Sequence, residues 1–541
     1  MKKLRLVLVL FLVVSLLTAC GGTSTDTGST TVAKTITIAT DLDLQSMDQQ
    51  VATDGISFSM QDLVLSGLCT LSDAGVAEPE LASSWDVSAD GMTYTFHLVD
   101  AKWSNGDAVT ANDFVFGWRH LVDPKLASEY AFIMDTIHVV NAGDCAAGTK
   151  ALDQLGVEAT DDKTFVVHLT QPCDFLLSLM AFPSFFPVNE KFFEAQGDQY
   201  ALSVDNLLFN GPYTMTSWTA GSEYVFTKNP NYFNADSVKT EEIVFKYVSD
   251  TQSAMLSYEN GDVDYVKLTG ELVDAYKGKD GYTQRLAGYL WYMSVNFTNS
   301  KFVQGGNLVK AISCGIDRDT IATSVLKDGS IAAKGIVPTG FATGPDGKDY
   351  RDTTDAFVTY DPAQAASYYK AAVADNGGKD YSIELLFEDT EASKAVAEQI
   401  QSMLQTNCPG LTITLNSKPK KTRLDMMQHQ QYELGLTRWG PDYADPETYM
   451  DLFRTTAVDN NNGRYNNPEY DKLVNAADVN ANSTERWQQY KDAEKILVQD
   501  DCGVIPVYQS GGAIMINPKV TGIRFHSAGV DSYRFMVKSA S

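Results

Sequence analysis

The chain has few groups suited to transforming a substrate. It has no HExxH, no G-x-S-x-G and no P-loop. Those are the spacings that build a zinc hydrolase, a nucleophile elbow or a phosphate cradle. Its six histidines, His97, His120, His138, His168, His429 and His526, are scattered without metal-ligand spacing. Asp459-Asn460-Asn461-Asn462-Gly463 begins like a calcium loop, but its glycine comes one position early and the stretch reads as an ordinary loop. Asp442, Asp445 and Glu447 either bind a cation or solvate a turn, the second being the simpler account. No catalytic residue, metal or cofactor is therefore expected.

Basic charge is also in short supply. Forty-two Lys and Arg face 69 Asp and Glu, a net charge of −27 among 541 residues. That balance excludes nucleic acid as a partner and disfavours broad attraction to anionic lipid. Cysteine is sparse and forms no CxxC. Setting Cys20 aside, Cys69, Cys145, Cys173, Cys314, Cys408 and Cys502 are either disulfide-bonded in an oxidising compartment or buried as small apolar residues.

One long apolar run exists, Leu6 to Val14, followed by Ser15, Leu16 and Leu17. It is shorter than the roughly 20 residues that span a bilayer. Lys2, Lys3 and Arg5 precede it, and Leu17-Thr18-Ala19-Cys20 ends it. A basic start, a short apolar core and a small-residue ending mark an export signal over residues 1–19. The ending resembles the lipobox of bacterial lipoproteins, which implies lipidation at Cys20. The Gly/Ser/Thr-rich stretch after it makes 20–33 a flexible tether.

The body alternates apolar and polar residues at 34–40, 93–98 and 164–169, and is apolar-rich at 243–248, 381–387 and 411–415. These stretches predict strands. Asp361-Pro362 supplies a cap and a proline in the first turn for a helix through Ala363 to Ala374. Glu391 to Thr406 reads as a helix between two strands, a crossover unit. The fold class is α/β, and the length calls for two or three lobes.

Several stretches occur in a telling order. Glu78-Pro79-Glu80-Leu81-Ala82-Ser83-Ser84-Trp85 precedes Lys102-Trp103-Ser104-Asn105-Gly106-Asp107 and Val109-Thr110-Ala111-Asn112-Asp113-Phe114. Asn210-Gly211-Pro212-Tyr213, Gly261-Asp262-Val263-Asp264, Tyr465-Asn466-Asn467-Pro468 and Ile505-Pro506-Val507-Tyr508 follow. In this succession the chain resembles the family-5 extracellular solute-binding proteins, the peptide and nickel binders of ABC importers. The resemblance implies a periplasmic-binding-protein-like body with a hinge. Lobe I would combine 34–78, 205–320 and 509–541, lobe II would be an insertion at 79–204, and lobe III would span 321–508.

The same resemblance implies a ligand site. Arg438-Trp439-Gly440-Pro441-Asp442-Tyr443 is similar to a cleft-lining segment of the oligopeptide binders. Asp442 would pair with a ligand α-ammonium, Trp439 would form an apolar wall, and the backbone of Arg438, Trp439 and Gly440 would pair with an extended peptide. Without the family, Asp442 reads as a loop acid or the cap of a helix near Pro446. Ser66-Gly67-Leu68 matches a segment that contacts the peptide backbone. Phe175 stands where relatives carry a ligand-contacting tyrosine, or else packs in a core. Tyr289, Trp291 and Tyr292 face either the cleft or a core. Relatives place an acid where Ser66 stands and basic residues where Ser393, Met427 and Leu436 stand, while Arg438 is a cation outside that pattern.

The expected activity is capture of oligopeptides and delivery to an ABC permease by a monomeric, lipid-anchored protein on the extracytoplasmic face of the cell membrane. A binder of another small solute, such as a nickel complex or a sugar, is the alternative within the fold. A surface hydrolase is the alternative outside it.

Overall fold

The computed structural model describes residues 33–480 and 482–539. Cys20, the signal-like segment 1–19 and nearly all of the 20–33 tether lie outside the described residues. No helix among the described residues is long and apolar enough to cross a membrane.

The fold is mixed α/β around one 11-stranded sheet. Its strands run in the order Thr412–Lys418, Ser382–Glu388, Leu434–Trp439, Tyr282–Val295, Val504–Ile516, Tyr265–Leu268, Thr35–Thr40, Glu242–Tyr247, Glu223–Lys228 and Tyr213–Thr219, with Ile331–Ala332 paired to the side. A separate antiparallel sheet joins Ala82–Val87, Thr93–Leu98, Thr164–His168 and Val157–Asp161. Every strand expected from sequence is present to within a residue or a few.

Local rules account for these elements. In Thr93–Leu98, alternation sends Tyr94 and Phe96 inward, and burying a ring such as Phe96 is worth roughly 1.5–3 kcal/mol. Asp361 accepts a hydrogen bond from the Gln364 amide and starts the helix Pro362–Asp375. Helix Glu391–Asn407 connects two parallel strands, the crossover expected. The early sequence motif is structural: Asp113 accepts from the Thr110 amide at 2.7 Å and from Trp103 Nε1–H at 3.3 Å. All six cysteines among the described residues are unpaired and five are buried, so the buried-thiol reading applies.

The two longest strands, Tyr282–Val295 and Val504–Ile516, run side by side through the middle of the sheet. Their register shifts between Leu286 and Leu290. Before the shift they pair next to Tyr265–Leu268, and after it next to Leu434–Trp439. Gly288 and Gly511 stand at this shift because a Cβ on either would collide with neighbouring backbone, of Ser527 and Gly329 respectively. Beyond it, Trp291, Met293, Val295, Val309, Ile312 and Ile316 pack with Ile383, Ile400, Leu434 and Leu436. Residues 290–320 therefore belong with the second half of the chain. The insertion at 79–204 shares a continuous core with the first half, through Leu68, Phe96, Trp118, Phe165 and Phe226.

Candidate functional site

The strand Leu434–Trp439 has one edge occupied by Tyr282–Val295, which pairs from Val295↔Leu434 to Leu290↔Trp439. On its other edge, Ser382–Glu388 pairs only with Leu434 and Gly435. Leu436 to Trp439 thus presents an edge with no strand partner. Such an edge is a template for an extended chain. Gly440 follows, and a Cβ there would collide with the Tyr289 ring.

Asp442 sits just beyond this edge. It is 9% exposed, and its one hydrogen bond comes from the Tyr130 hydroxyl at 3.2 Å. It has no ion pair among the described residues. Burial outweighs the Tyr130 hydrogen bond and pushes its carboxyl up to about 7. It does not start the nearby helix, since Asp445 caps the Glu447 amide. Asp445 and Glu447 share one cation, Arg486, at 2.6 and 2.8 Å. The three acids considered as a cation site are therefore separated in purpose.

Asp442 borders a small cavity, about 20 Å³ open to the centre of a water molecule, together with Asp62, Thr70, Ser178, His526 and Ser532. Its walls come from three parts of the chain. Phe175, from the insertion, stacks on Tyr443 with ring centroids 4.0 Å apart and planes 9° from parallel. Gln171 Nε2 reaches the Asp478 carbonyl at 3.2 Å. Residues 171–175 thus touch the second half of the chain.

Arg438, Trp439, Gly440 and Asp442 lie on one continuous segment, and Phe175 stacks on Tyr443, which follows Asp442. Trp439 is half core, its indole N–H donating to Thr448 Oγ1 at 3.2 Å. The Arg438 guanidinium lies 4.9 Å from the Trp291 ring and 5.9 Å from Tyr289. Tyr289 is half-buried, whereas Trp291 and Tyr292 each belong to a core.

Ser66, Gly67 and Leu68 form a buried floor. The Ser66 hydroxyl donates to Glu80 at 2.6 Å and accepts from Arg534 at 2.9 Å. The three carbonyls accept from Asn210, Leu81, Glu80 and Ala82. The amide groups of Gly67 and Leu68 make no hydrogen bond among the described residues. Ser393, Met427 and Leu436 are buried. Sequence reasoning missed Tyr130, and also Lys420 and Arg423, which stand near Arg438; nothing in the local sequence marks any of the three.

Residues 76–461 match the family model for bacterial extracellular solute-binding proteins, family 5. The chain belongs to that family. Family-5 members and their structural neighbours are binding proteins, not enzymes. The dipeptide-binding protein of Lactococcus lactis is 33% identical over 533 residues, covering 95% of each chain. Listeria monocytogenes OppA bound to peptide aligns with a TM-score of 0.87 at 33% identity, covering 94% of this chain and 99% of that one. The Escherichia coli murein tripeptide-binding protein MppA, 25% identical, gives 0.85 in one structure (94% of this chain, 100% of that one) and 0.67 in its unliganded open form (94% and 98%). This family-5 chain is therefore in an arrangement unlike the open one, in agreement with the contacts of Phe175 and Gln171.

Proposed function

We propose that the protein captures oligopeptides in this cleft and hands them to the membrane permease of an ABC importer. The observation that carries the reading is Asp442, a buried carboxylate without a cation beside an unpaired strand edge. A buried acid is disfavoured until a counter-charge arrives. A peptide α-ammonium supplies one, while the peptide backbone fills the edge from Leu436 to Gly440 and accepts from the free amides of Gly67 and Leu68. Relatives named as dipeptide- and oligopeptide-binding proteins over 94–95% of this chain support the class of ligand.

In this reading three lobes close about a hinge. The insertion and the first half form lobes II and I, and 290–508 forms lobe III. Tyr282–Val295 and Val504–Ile516 flex where their register shifts. Binding is completed when Phe175 and Tyr130 meet Tyr443 and Asp442. Cys20 anchors the protein by lipid to the outer face of the membrane, and the tether lets a monomer reach the permease. Peptide recovered by mass spectrometry from the purified protein, intact and exchangeable, is the expected result. Recovery of no peptide, or of cleaved products only, contradicts the proposal.

A further inference from the structure

We infer that Lys420, Arg423 and Arg438 form a subsite for a carboxylate on the ligand, removed by a few residues from its α-ammonium. The inference rests on the peptide reading above and adds the charge such a peptide carries.

Arg423 and Arg438 share one carboxylate, Glu388, and Lys420 stands near both. Arg423 is 2% exposed, with Nη2 at 3.4 Å from Glu388 Oε2. Arg438 Nη1 is 3.8 Å from Glu388 Oε1, too far for a hydrogen bond. Among the described residues the Arg438 side chain makes no hydrogen bond, and the Lys420 side chain makes neither hydrogen bond nor ion pair. Arg423 spends one nitrogen on Thr437 Oγ1 at 2.8 Å and leaves its buried Nε–H unpartnered. Three cations against the carboxylates of Glu388 and Asp54 leave a net charge of about plus one here, in a chain whose total is −27, so a generally basic surface is not the cause.

Fold stability does not account for the grouping either. Burial and the charge of Arg438 hold the Lys420 ammonium below its usual range. The like charges repel, and Glu388 and Asp54 together do not balance three of them. Asp54 faces Lys420 from the first half of the chain and accepts from the Ser57 amide and hydroxyl at 3.1 and 2.7 Å, and with it counted the three cations still outnumber the two carboxylates. The aromatic planes of Trp291 and Tyr289 hold the Arg438 guanidinium in place while its donors stay unused, which is how an anion site is pre-organised.

Placement sets the ligand. Arg438 precedes Asp442 by four residues, a span of at most about 14 Å. At about 3.3 Å per residue an extended peptide covers that in three or four residues. The carboxylate is then the C-terminus of a short peptide or an acidic side chain near its third residue. The residues where relatives hold a peptide C-terminus are here Ser393, Met427 and Leu436, and all three are buried, so this cluster is a different solution.

A mixed-sequence tetrapeptide library and its C-terminally amidated counterpart distinguish the two sources. Peptides retained by the purified protein are identified by mass spectrometry, and affinities of selected pairs are measured by calorimetry. The wild type is expected to prefer a carboxylate by roughly ten- to a hundredfold, as charge-assisted hydrogen bonds give. Enrichment of acidic side chains in both libraries identifies the side-chain source. Preference for free acid over amide without such enrichment identifies the terminus. Either preference should vanish in Lys420→Gln and Arg438→Gln. The Lys420 side chain carries no intramolecular hydrogen bond among the described residues, so its variant keeps the test open if the arginine variant folds poorly. Equal retention of charged and neutral peptides overturns the subsite and leaves peptide binding intact. Retention of no peptide at all overturns the peptide reading and the subsite with it.

Discussion

The Tyr130 hydroxyl donates to Asp442 across 3.2 Å, joining a loop of the insertion to the carboxylate at the end of the free strand edge. One side chain thus reports closure and the other awaits a cation. In the proposed complex the same carboxylate would accept from Tyr130 and from the α-ammonium, since its two oxygens have room for both.

Asp442→Ala should weaken peptide binding by roughly two to three orders of magnitude, because removing one partner of a buried pair costs about 3–5 kcal/mol. N-acetylating the peptide should do similar damage to the wild type and little more to the variant, as both changes delete one interaction. Calorimetric titration of the four combinations measures the coupling. Additive losses would place the α-ammonium elsewhere.

Binding should also depend on pH in a defined direction. In the closed, ligand-free protein the Asp442 carboxyl is raised to about 7, so it holds its proton below that pH. An ammonium ligand requires the ionised form, and affinity should fall up to about tenfold per unit below pH 7. Above about pH 8 the peptide amine itself loses its charge, giving a maximum between the two. Stability follows the opposite sense. A carboxyl raised above its unfolded value binds extra proton in the native state, so the ligand-free closed form gains stability as pH falls from about 7 towards 4. Asp442→Asn should remove both the acid limb of binding and this trend. Calorimetry in buffers of different ionisation enthalpy, with thermal melts at pH 5 and 8, tests each part.

The Phe175–Tyr443 stack, at 4.0 Å and 9°, is worth about 0.5–1.5 kcal/mol beyond the area it buries. It exists only when the insertion meets the second half. Phe175→Ala should therefore weaken binding by roughly two- to tenfold, chiefly through faster release. It should also enlarge the ligand-free protein in small-angle scattering. Unchanged release and unchanged size would mean that the stack does not hold the cleft shut.

Much of this was legible in the sequence because it is local. Alternation places Tyr94 and Phe96, and Asp361-Pro362 starts its helix without help from elsewhere. The segment through Asp442 is also contiguous, so its resemblance to cleft-lining stretches could be read directly. What was missed depends on chain segments meeting far from one another in sequence. Tyr130 lies in a loop over 300 residues from its partner. Lys420 and Arg423 open a polar helix, Lys420–Gln428, whose charges read as solvated until Arg438 and Glu388 are brought beside them. The register shift at Leu286–Leu290, where the proposed hinge lies, leaves no mark in composition.

Ser66 gives the clearest division between floor and contact. Its hydroxyl bridges Glu80 and Arg534, at 2.6 and 2.9 Å, and Arg534 also pairs with Glu80 at 2.9 Å and Asp62 at 3.5 Å. All four residues are under 9% exposed, so every unmet hydrogen bond there is costly. Ser66→Ala should lower unfolding stability by about 1–3 kcal/mol, the loss expected when buried charged partners lose a hydroxyl. Glu80→Ala should cost about 3–5 kcal/mol, because Arg534 is then left buried with only the more distant Asp62. Peptide affinity of the folded Ser66→Ala protein should stay within about twofold of wild type, since the ligand would meet this segment through the Gly67 and Leu68 amides. Denaturant unfolding and calorimetry on the same preparation separate the two effects. A large loss of affinity with little loss of stability would move the Ser66 side chain from the floor into the ligand site.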